Sequence, residues 1–264
     1  MTNQLIEKQL SVNEHNIRYL EGGVASDCEP ILFLHGWGVG IEPYREILNI
    51  LCQRYQVIAP ELPGFGKTSH SNLNWDYNDY ARFLISFLNI LNIKKVHIIG
   101  HSLGGGIAAT IAASMPTFVQ SIILVDSTGI PVEPLAKILF QRAIEMTAQT
   151  PQLKFPQIIQ IFTAFTYNFI LQTQNTIQLL LLSLTKDLKP LLPKIESHCL
   201  LVWGANDLTT PLSAAQDFLQ LIKNSKLVVV EDVYHEWSIF FVDKFTNIVF
   251  NFIDEIEAKK SGGS

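Results

Sequence analysis

The sequence predicts an α/β fold in which a mostly parallel central sheet carries helices on both faces. Short runs of apolar and β-branched residues alternate along the chain with longer segments that repeat apolar residues every three or four positions. Several short runs are apolar at every position, as strands covered on both faces must be. Strands that alternate with helices build parallel βαβ units. The predicted strands are Ile17–Leu20, Ile31–Leu34, Gln56–Ala59, Val96–Ile99, Ile122–Val125, Leu200–Trp203 and Leu227–Val230.

Two helices are defined well by the spacing of their apolar residues. One follows the predicted capping residue Asp76, and its apolar face consists of Tyr77, Tyr80, Leu84, Phe87 and Leu91. The other is the last helix of the chain, whose apolar stripe is Phe241, Phe245, Ile248, Phe252 and Ile256.

The alternation of strands and helices is interrupted once, by the 63 residues from Pro131 to Pro193. This segment has several helical patterns, and a structureless loop of that length is uncommon in a compact domain. We therefore expect a helical lid inserted at the C-terminal edge of the sheet, where open α/β folds bind ligands. The predicted core comprises residues 1–130 and 194–260, and residues 261–264 are expected to form a flexible tail.

Length and composition exclude several classes of protein. The 264 residues are 48% hydrophobic and 16% charged, with a net charge of −5, which excludes a disordered chain and gives no basic surface for nucleic acid. The first eight residues lack the apolar stretch of an export signal. The apolar segment 155–185 contains too many Gln, Asn and Thr residues for a transmembrane span. We expect a cytoplasmic protein with three reduced cysteines; the sequence leaves its oligomeric state open.

The strongest chemical motif surrounds Ser102. Gly100-His101-Ser102-Leu103-Gly104 follows the apolar strand Val96–Ile99 and leads directly into a helix rich in small residues. A serine on such a strand-to-helix turn has a strained backbone and an Oγ that stands clear of the sheet. The start of the helix supplies unpaired N–H groups suited to a developing oxyanion. Ser102 is therefore the predicted nucleophile, against the alternative of a tight turn with a solvent-exposed serine.

With three further motifs, this turn resembles the α/β-hydrolase superfamily over nearly the whole chain. His35-Gly36-Trp37-Gly38 is similar to the oxyanion loop of the family, and the resemblance implies that the backbone N–H groups of Trp37 and Leu103 form the oxyanion hole. Glu61–Ser69 matches a structural loop in which Glu61 replaces the usual Asp. In the third motif, the apolar strand Leu200–Trp203 ends in a turn that presents Asp207.

The resemblance implies that Asp207 and His235 complete a catalytic triad with Ser102. Asp207 keeps the chain order Ser, Asp, His and the Gly-x-x-Asp context, and it could also cap the following turn. Asp126, at the end of the strand Ile122–Val125, is the competing acid, because some family members place the acid there. The family usually has Gly before the histidine, whereas this chain has Tyr234. In a triad His235 takes the Ser102 proton and the acid fixes the histidine tautomer.

These motifs predict a serine hydrolase that uses no cofactor and no metal. The oxyanion loop and the Leu-Pro-Gly-Phe-Gly stretch are similar to pimeloyl methyl ester esterase-like carboxylesterases, which favours a small-molecule carboxylic ester as substrate. Residues 155–185 carry no charge, which favours a neutral, largely apolar substrate, although these residues could equally serve only to pack the lid. The substrate-binding residues stay unassigned.

Two other classes of function remain open from the sequence. A lyase or a carbon–carbon hydrolase can use the same triad, although carbon–carbon hydrolases typically carry Gly-Arg-x-Asp where this chain has Gly204-Ala205-Asn206-Asp207. A ligand-binding sensor can keep the hydrolase fold with little turnover.

Overall fold

The computed structural model describes residues 4–23, 28–68, 74–131, 133–149 and 155–261. Within these residues, eight strands form one sheet in the order β1-β2-β4-β3-β5-β6-β7-β8. The strands are β1 Ile6–Val12, β2 His15–Gly22, β3 Ile31–Leu34, β4 Val57–Pro60, β5 Val96–His101, β6 Val119–Val125, β7 His198–Gly204 and β8 Ser225–Val230. Strand β2 is antiparallel to both of its neighbours, and β3 to β8 are parallel to one another. The predicted α/β class is therefore confirmed.

All seven predicted strands are present, with their ends shifted by at most three residues. The largest difference at an N-terminal end is in β6, which begins at Val119 rather than Ile122. Strand β1 was not predicted. Five of its seven side chains are exposed, so it lacks the apolar run that identifies a buried strand.

The helices are α1 Arg45–Leu51, α2 Tyr77–Ile90, α3 Leu103–Ser114, α4 Leu135–Gln149, α5 Phe155–Leu171, α6 Thr173–Thr185, α7 Leu212–Leu221, α8 Trp237–Phe240 and α9 Val242–Ser261. Asp76 caps α2 as predicted, because its carboxylate accepts the Asn78 and Asp79 backbone N–H groups. Phe241 does not belong to the last helix: it lies between α8 and α9 and is 39% exposed. The last helix extends to Ser261, and residues 262–264 of the predicted tail lie outside the described residues.

The core consists of two apolar layers, one on each face of the sheet. Side chains of α2, α3 and α7 pack on one face, and those of α1, α8 and α9 pack on the other. Within β3, Leu32 and Leu34 face the first layer while Ile31 and Phe33 face the second, as the alternation of side chains along a strand requires. Because β5, β6 and β7 are neighbouring parallel strands, their carboxyl ends lie side by side at one edge of the sheet.

The described part of residues 131–193 contains α4, α5 and α6, and a short helical turn, Leu192–Lys194, begins at its end. These helices lie in the chain between β6 and β7, where the alternation of strands and helices is interrupted. We call α4 to α6 the lid; the division of the chain into a core and a lid domain stays a prediction. None of the described helices combines the length and the hydropathy needed to span a membrane.

Candidate active site

Ser102 occupies a strained turn between β5 and α3. Its backbone has φ 51° and ψ −115°, a region that residues other than glycine rarely adopt. Position 100 requires glycine, because a Cβ there would lie 2.3 Å from the Gly104 carbonyl oxygen. The Ser102 carbonyl oxygen accepts the backbone N–H groups of Gly105 at 2.9 Å and Thr128 at 3.1 Å. The turn is thus held from the first turn of α3 and from the segment that follows β6.

The structure brings Ser102, His235 and Asp207 into one chain of hydrogen bonds. His235 Nε2 lies 2.9 Å from Ser102 Oγ, and His235 Nδ1 lies 2.7 Å from Asp207 Oδ2. All three residues are buried. An ionised Asp207 accepts only, so Nδ1 carries the proton and Nε2 is free to accept the Ser102 hydroxyl. This is the arrangement in which histidine can remove a proton from serine.

Asp207 is held by the turn that follows β7. Its Oδ1 accepts the backbone N–H groups of Thr209 and Thr210, each at 2.8 Å, and its Oδ2 accepts the Thr210 hydroxyl at 2.7 Å. Burial raises the pKa of Asp207, but the charge of His235 and these hydrogen bonds outweigh it and leave the pKa below its ordinary value. Asp207 therefore caps the turn and faces His235 at once, and Thr210 is a supporting residue that the sequence analysis did not identify.

Asp126 lies at the end of β6 but makes different contacts. Its Oδ1 accepts the Gly204 backbone N–H at 2.8 Å, and its Oδ2 accepts the Trp237 indole N–H at 2.7 Å. Burial, and then the negative charge of Asp207, raise the pKa of Asp126 well above its ordinary value. It is therefore Asp207, and not the competing Asp126, that is hydrogen-bonded to His235.

Asp126, Asp207 and His235 each place one possible metal-ligand atom within 4.8 Å of the other two. All three side chains are already hydrogen-bonded within the protein, which accounts for this cluster without an ion. The prediction that the site uses no metal stays a prediction.

The loop His35–Gly38 after β3, which we call the oxyanion loop for its predicted role, packs against the first turn of α3. A Cβ on Gly104 would lie 2.3 Å from the Leu34 carbonyl oxygen, so the two segments are in direct contact. Leu103 is the first residue of α3, and N–H groups in a first turn have no acceptor within the helix. The assignment of the Trp37 and Leu103 N–H groups to an oxyanion hole stays a prediction that this placement supports.

His101 connects the oxyanion loop with the loop that carries His235. Its Nδ1 lies 2.7 Å from the Tyr44 hydroxyl, which accepts the Gly36 backbone N–H at 3.1 Å. Its Nε2 lies 3.0 Å from the His235 carbonyl oxygen. Burial, then the charge of His235, lower the pKa of His101 to about 3, so the ring is neutral and can donate from Nε2 while accepting at Nδ1. Neither His101 nor Tyr44 was identified from the sequence as a supporting residue of the site.

Lid helices α5 and α6 cover the oxyanion loop. The Trp37 indole donates to the Thr176 carbonyl oxygen at 2.7 Å, and its ring packs edge-on against Phe165. The buried Asn168 donates to the Gly38 carbonyl oxygen at 2.9 Å and accepts the Gly66 backbone N–H at 2.7 Å. In the sequence, Asn168 was only one of the polar interruptions of an apolar stretch. Its two contacts show that it fastens the lid to the core.

Both departures from the family pattern are accommodated locally. Glu61 accepts from Arg18 at 3.1 Å and from the Lys67 backbone N–H at 2.6 Å. Its longer side chain fits because residue 66 is glycine; a Cβ there would lie 2.1 Å from the Glu61 carboxyl carbon. In the loop that carries His235, the left-handed residue is Asp232, with φ 61°, rather than Tyr234. Position 234 therefore does not need glycine.

A family model described as alpha/beta hydrolase fold matches residues 29–194. The chain is 28% identical over 262 residues to a 2-hydroxy-6-oxononadienedioate/2-hydroxy-6-oxononatrienedioate hydrolase of Escherichia coli O81 (strain ED1a), covering 86% of this chain and 89% of that protein. It is 31% identical over 132 residues to a 2-hydroxy-6-oxo-6-(2'-aminophenyl)hexa-2,4-dienoic acid hydrolase of Metapseudomonas resinovorans. That match covers 48% of this chain and 44% of the relative, so the chain spans less than half of the relative's length.

Two solved structures share the fold over almost the whole chain. A bacterial membrane phospholipase A superposes with a TM-score of 0.82 at 26% identity, covering 97% of this chain and 87% of that one. A serine hydrolase involved in carbazole degradation superposes with a TM-score of 0.79 at 24% identity, covering 95% of this chain and 99% of that one.

Proposed function

The chain belongs to the α/β-hydrolase superfamily of serine hydrolases, and from this premise we propose that it cleaves a carboxylic ester of a neutral, largely apolar small molecule through an acyl-enzyme on Ser102. The observation that carries the proposal is the chain of hydrogen bonds from Ser102 Oγ through His235 to Asp207, at 2.9 and 2.7 Å. A serine hydroxyl is a poor nucleophile at neutral pH, and a histidine held in this tautomer is the base that it needs.

In the proposed reaction, Ser102 Oγ attacks the ester carbonyl carbon while His235 Nε2 takes the hydroxyl proton. The tetrahedral oxyanion binds the Trp37 and Leu103 N–H groups, and removing one such donor typically costs about 10²–10³ in rate. As the carbon–oxygen bond breaks, His235 returns the proton to the leaving alcohol. Water then attacks the acyl-enzyme with His235 again as base, and the Asp207 carboxylate stabilises the imidazolium in both halves.

The composition of the lid favours a neutral substrate. Residues 155–185 have no charged side chain, and Phe165 contributes an aromatic ring beside the oxyanion loop. A carboxylate on the substrate would require a basic partner. Arg142, a basic residue of the lid near the triad, is already hydrogen-bonded to Glu145 and Glu236.

Carbon–carbon bond hydrolysis on the same triad is the second candidate, because two similar curated proteins are named as hydrolases of 2-hydroxy-6-oxo dienoates. The name of the Escherichia coli relative specifies a dioate, a substrate with two carboxylates. The pairing of Arg142 with acidic residues and the absence of charge from residues 155–185 favour the ester over such a substrate.

The proposal is tested with a panel of p-nitrophenyl esters from acetate to laurate, assayed beside a 2-hydroxy-6-oxo dienoate. We expect ester turnover by the wild type that is lost in Ser102→Ala and kept in the control Ser86→Ala. The half-buried Ser86 hydroxyl donates to the Arg82 carbonyl oxygen within α2. Faster cleavage of the dienoate than of any ester would favour the carbon–carbon hydrolase. A folded protein that turns over neither substrate class would contradict hydrolysis and favour the lyase or the ligand-binding sensor.

A further inference from the structure

Lid helix α4 buries two polar residues beside a single apolar one, Ile138, and turns most of its other large apolar residues towards solvent. Arg142, Glu145 and Gln149 are spaced at i, i+3 and i+7, which places them on one helix face. Glu145 is 0% exposed and Gln149 is 2% exposed, whereas Phe140 and Met146 on the same helix are 68% and 51% exposed. This is the reverse of an ordinary surface helix, and a buried acidic side chain needs specific partners.

The partners of Glu145 are the two loops that carry the acid and the base of the triad. Its Oε1 accepts the backbone N–H of His235 at 3.0 Å and that of Leu208 at 3.1 Å. Its Oε2 accepts the Thr209 hydroxyl at 2.6 Å. Leu208 directly follows Asp207. One carboxylate from the lid is therefore bonded to His235 itself and to the neighbour of Asp207.

The other polar residues of α4 hold Glu145 and the histidine loop in place. Arg142 Nη1 donates to Glu145 Oε2 at 3.1 Å and to Glu236 Oε2 at 3.0 Å. The Gln149 side chain donates to Glu236 Oε2 at 2.9 Å and accepts the Glu236 backbone N–H at 3.3 Å. The buried charge of Glu145 is thus paired, and α4 contacts two successive residues of the loop, His235 and Glu236.

We propose that Glu145 is a positioning residue of the active site, through which the lid helix α4 sets the placement of His235 against Asp207 and Ser102. If α4 left the core, the His235 and Leu208 N–H groups would lose their acceptor, and the two loops would no longer share a common support. The triad is therefore assembled in its reactive geometry only while α4 is docked. The kinetic consequence rests on the proposed hydrolysis, whereas the geometric consequence does not.

Two substitutions of Glu145 and one control test the kinetic consequence. Glu145→Ala removes all four acceptor contacts of the carboxylate. We expect kcat to fall about 10²-fold with little change in KM, since a small misplacement of catalytic groups has this effect. Glu145→Gln keeps one oxygen for the His235 and Leu208 N–H groups but loses the charge that Arg142 faces, so we expect an intermediate kcat. The control is Glu133→Ala, two residues before α4, which removes an ion pair with Lys137 and should leave kcat unchanged.

A second readout is independent of turnover. The proton on His235 Nδ1, hydrogen-bonded to Asp207, should give a downfield proton NMR signal in the wild type. We expect this signal to be lost in Glu145→Ala, weakened in Glu145→Gln and unchanged in Glu133→Ala, all measured well below the unfolding temperature of each variant.

These measurements separate the two proposals. If the wild type hydrolyses no ester but Glu145→Ala loses the NMR signal, the proposed function fails and the positioning role stands. If folded Glu145→Ala keeps both the wild-type kcat and the signal, the positioning role is wrong. If Glu145→Ala does not fold, Glu145→Gln decides, because its amide nitrogen cannot accept the Thr209 hydroxyl; wild-type kcat and signal in that variant would overturn the proposal.

Discussion

An Asp207→Asn substitution should disable the triad without changing the shape of the site. In the wild type, Oδ1 accepts two backbone N–H groups at 2.8 Å, and Oδ2 faces His235 Nδ1 at 2.7 Å. The single carbonyl oxygen of asparagine must stay with the two N–H groups, so its NH₂ group faces Nδ1. His235 then has to accept at Nδ1 and carry its proton on Nε2, where it can no longer accept the Ser102 proton.

The expected loss for Asp207→Asn is about 10⁴-fold in kcat/KM, the effect of holding a triad histidine in the wrong tautomer. This corresponds to about 5.5 kcal/mol of transition-state stabilisation. Asp126→Asn is the matched control, since this carboxyl group is equally buried and accepts one N–H group on each oxygen. One of those donors loses its acceptor, so we expect about 1–3 kcal/mol less stability and a far smaller loss of kcat/KM.

Steady-state hydrolysis of a p-nitrophenyl ester and urea unfolding, measured on both variants, check this prediction. The reasoning is refuted if folded Asp126→Asn loses more activity than folded Asp207→Asn, because Asp126 would then be the orienting acid. Equal losses would also contradict it, since they would show that the two carboxyl groups act as one unit.

Two further predictions concern pH and the lid. Burial lowers the pKa of His35 and of His97 to about 4 and that of His101 to about 3. Between about pH 6.5 and pH 4 the unfolded chain therefore binds up to three protons that the folded chain does not, so the free energy of unfolding falls on acidification. The raised pKa values of Asp126 and Glu61 oppose part of this fall, because these groups bind a proton more tightly in the folded chain. Urea titrations should still show a net loss of stability on acidification; stability that stays constant or rises would be inconsistent with neutral buried histidines. Asn168→Leu leaves the Gly66 N–H and the Gly38 carbonyl without their partner and should lower the free energy of unfolding by about 1–3 kcal/mol. Urea unfolding measures this loss as well, and an unchanged midpoint would exclude a fastening role for Asn168.

The sheet could be predicted from sequence wherever burial and strand pairing coincide. Strands β3 and β4 are buried at every position, and their apolar runs identified them. Strand β1 is held at the sheet edge by its pairing with β2, from Ile6 opposite Glu21 to Val12 opposite His15. Backbone hydrogen bonds of this kind do not depend on side-chain type, so an exposed edge strand leaves little signal in the hydropathy pattern.

The position of Ser102 could be predicted from a local motif at the end of a strand, and His235 followed from the family resemblance. Which of the two aspartates is hydrogen-bonded to His235 could not be decided in the same way. Asp126 and Asp207 follow the neighbouring strands β6 and β7, and both are fully buried or nearly so. They differ in the N–H groups around them: Asp126 is occupied by Gly204 and Trp237, whereas Asp207 keeps one oxygen for His235. Those donors come from distant parts of the chain, and only the folded arrangement brings them together.

The contacts of the lid with the site were missed for a different reason. A glutamate or an asparagine in a helical segment is ordinarily interpreted as a solvent-exposed residue, yet Glu145 and Asn168 are almost fully buried. Apolar contacts are non-directional and tolerate a shift of a helix along its axis, whereas hydrogen bonds fix its register. Several large apolar side chains of the lid, such as Phe162 and Ile170, are 70% and 69% exposed, so directional polar contacts contribute strongly to its docking. A lid docked in this way is expected to tolerate substitutions on its exposed apolar face but not at the two buried polar positions.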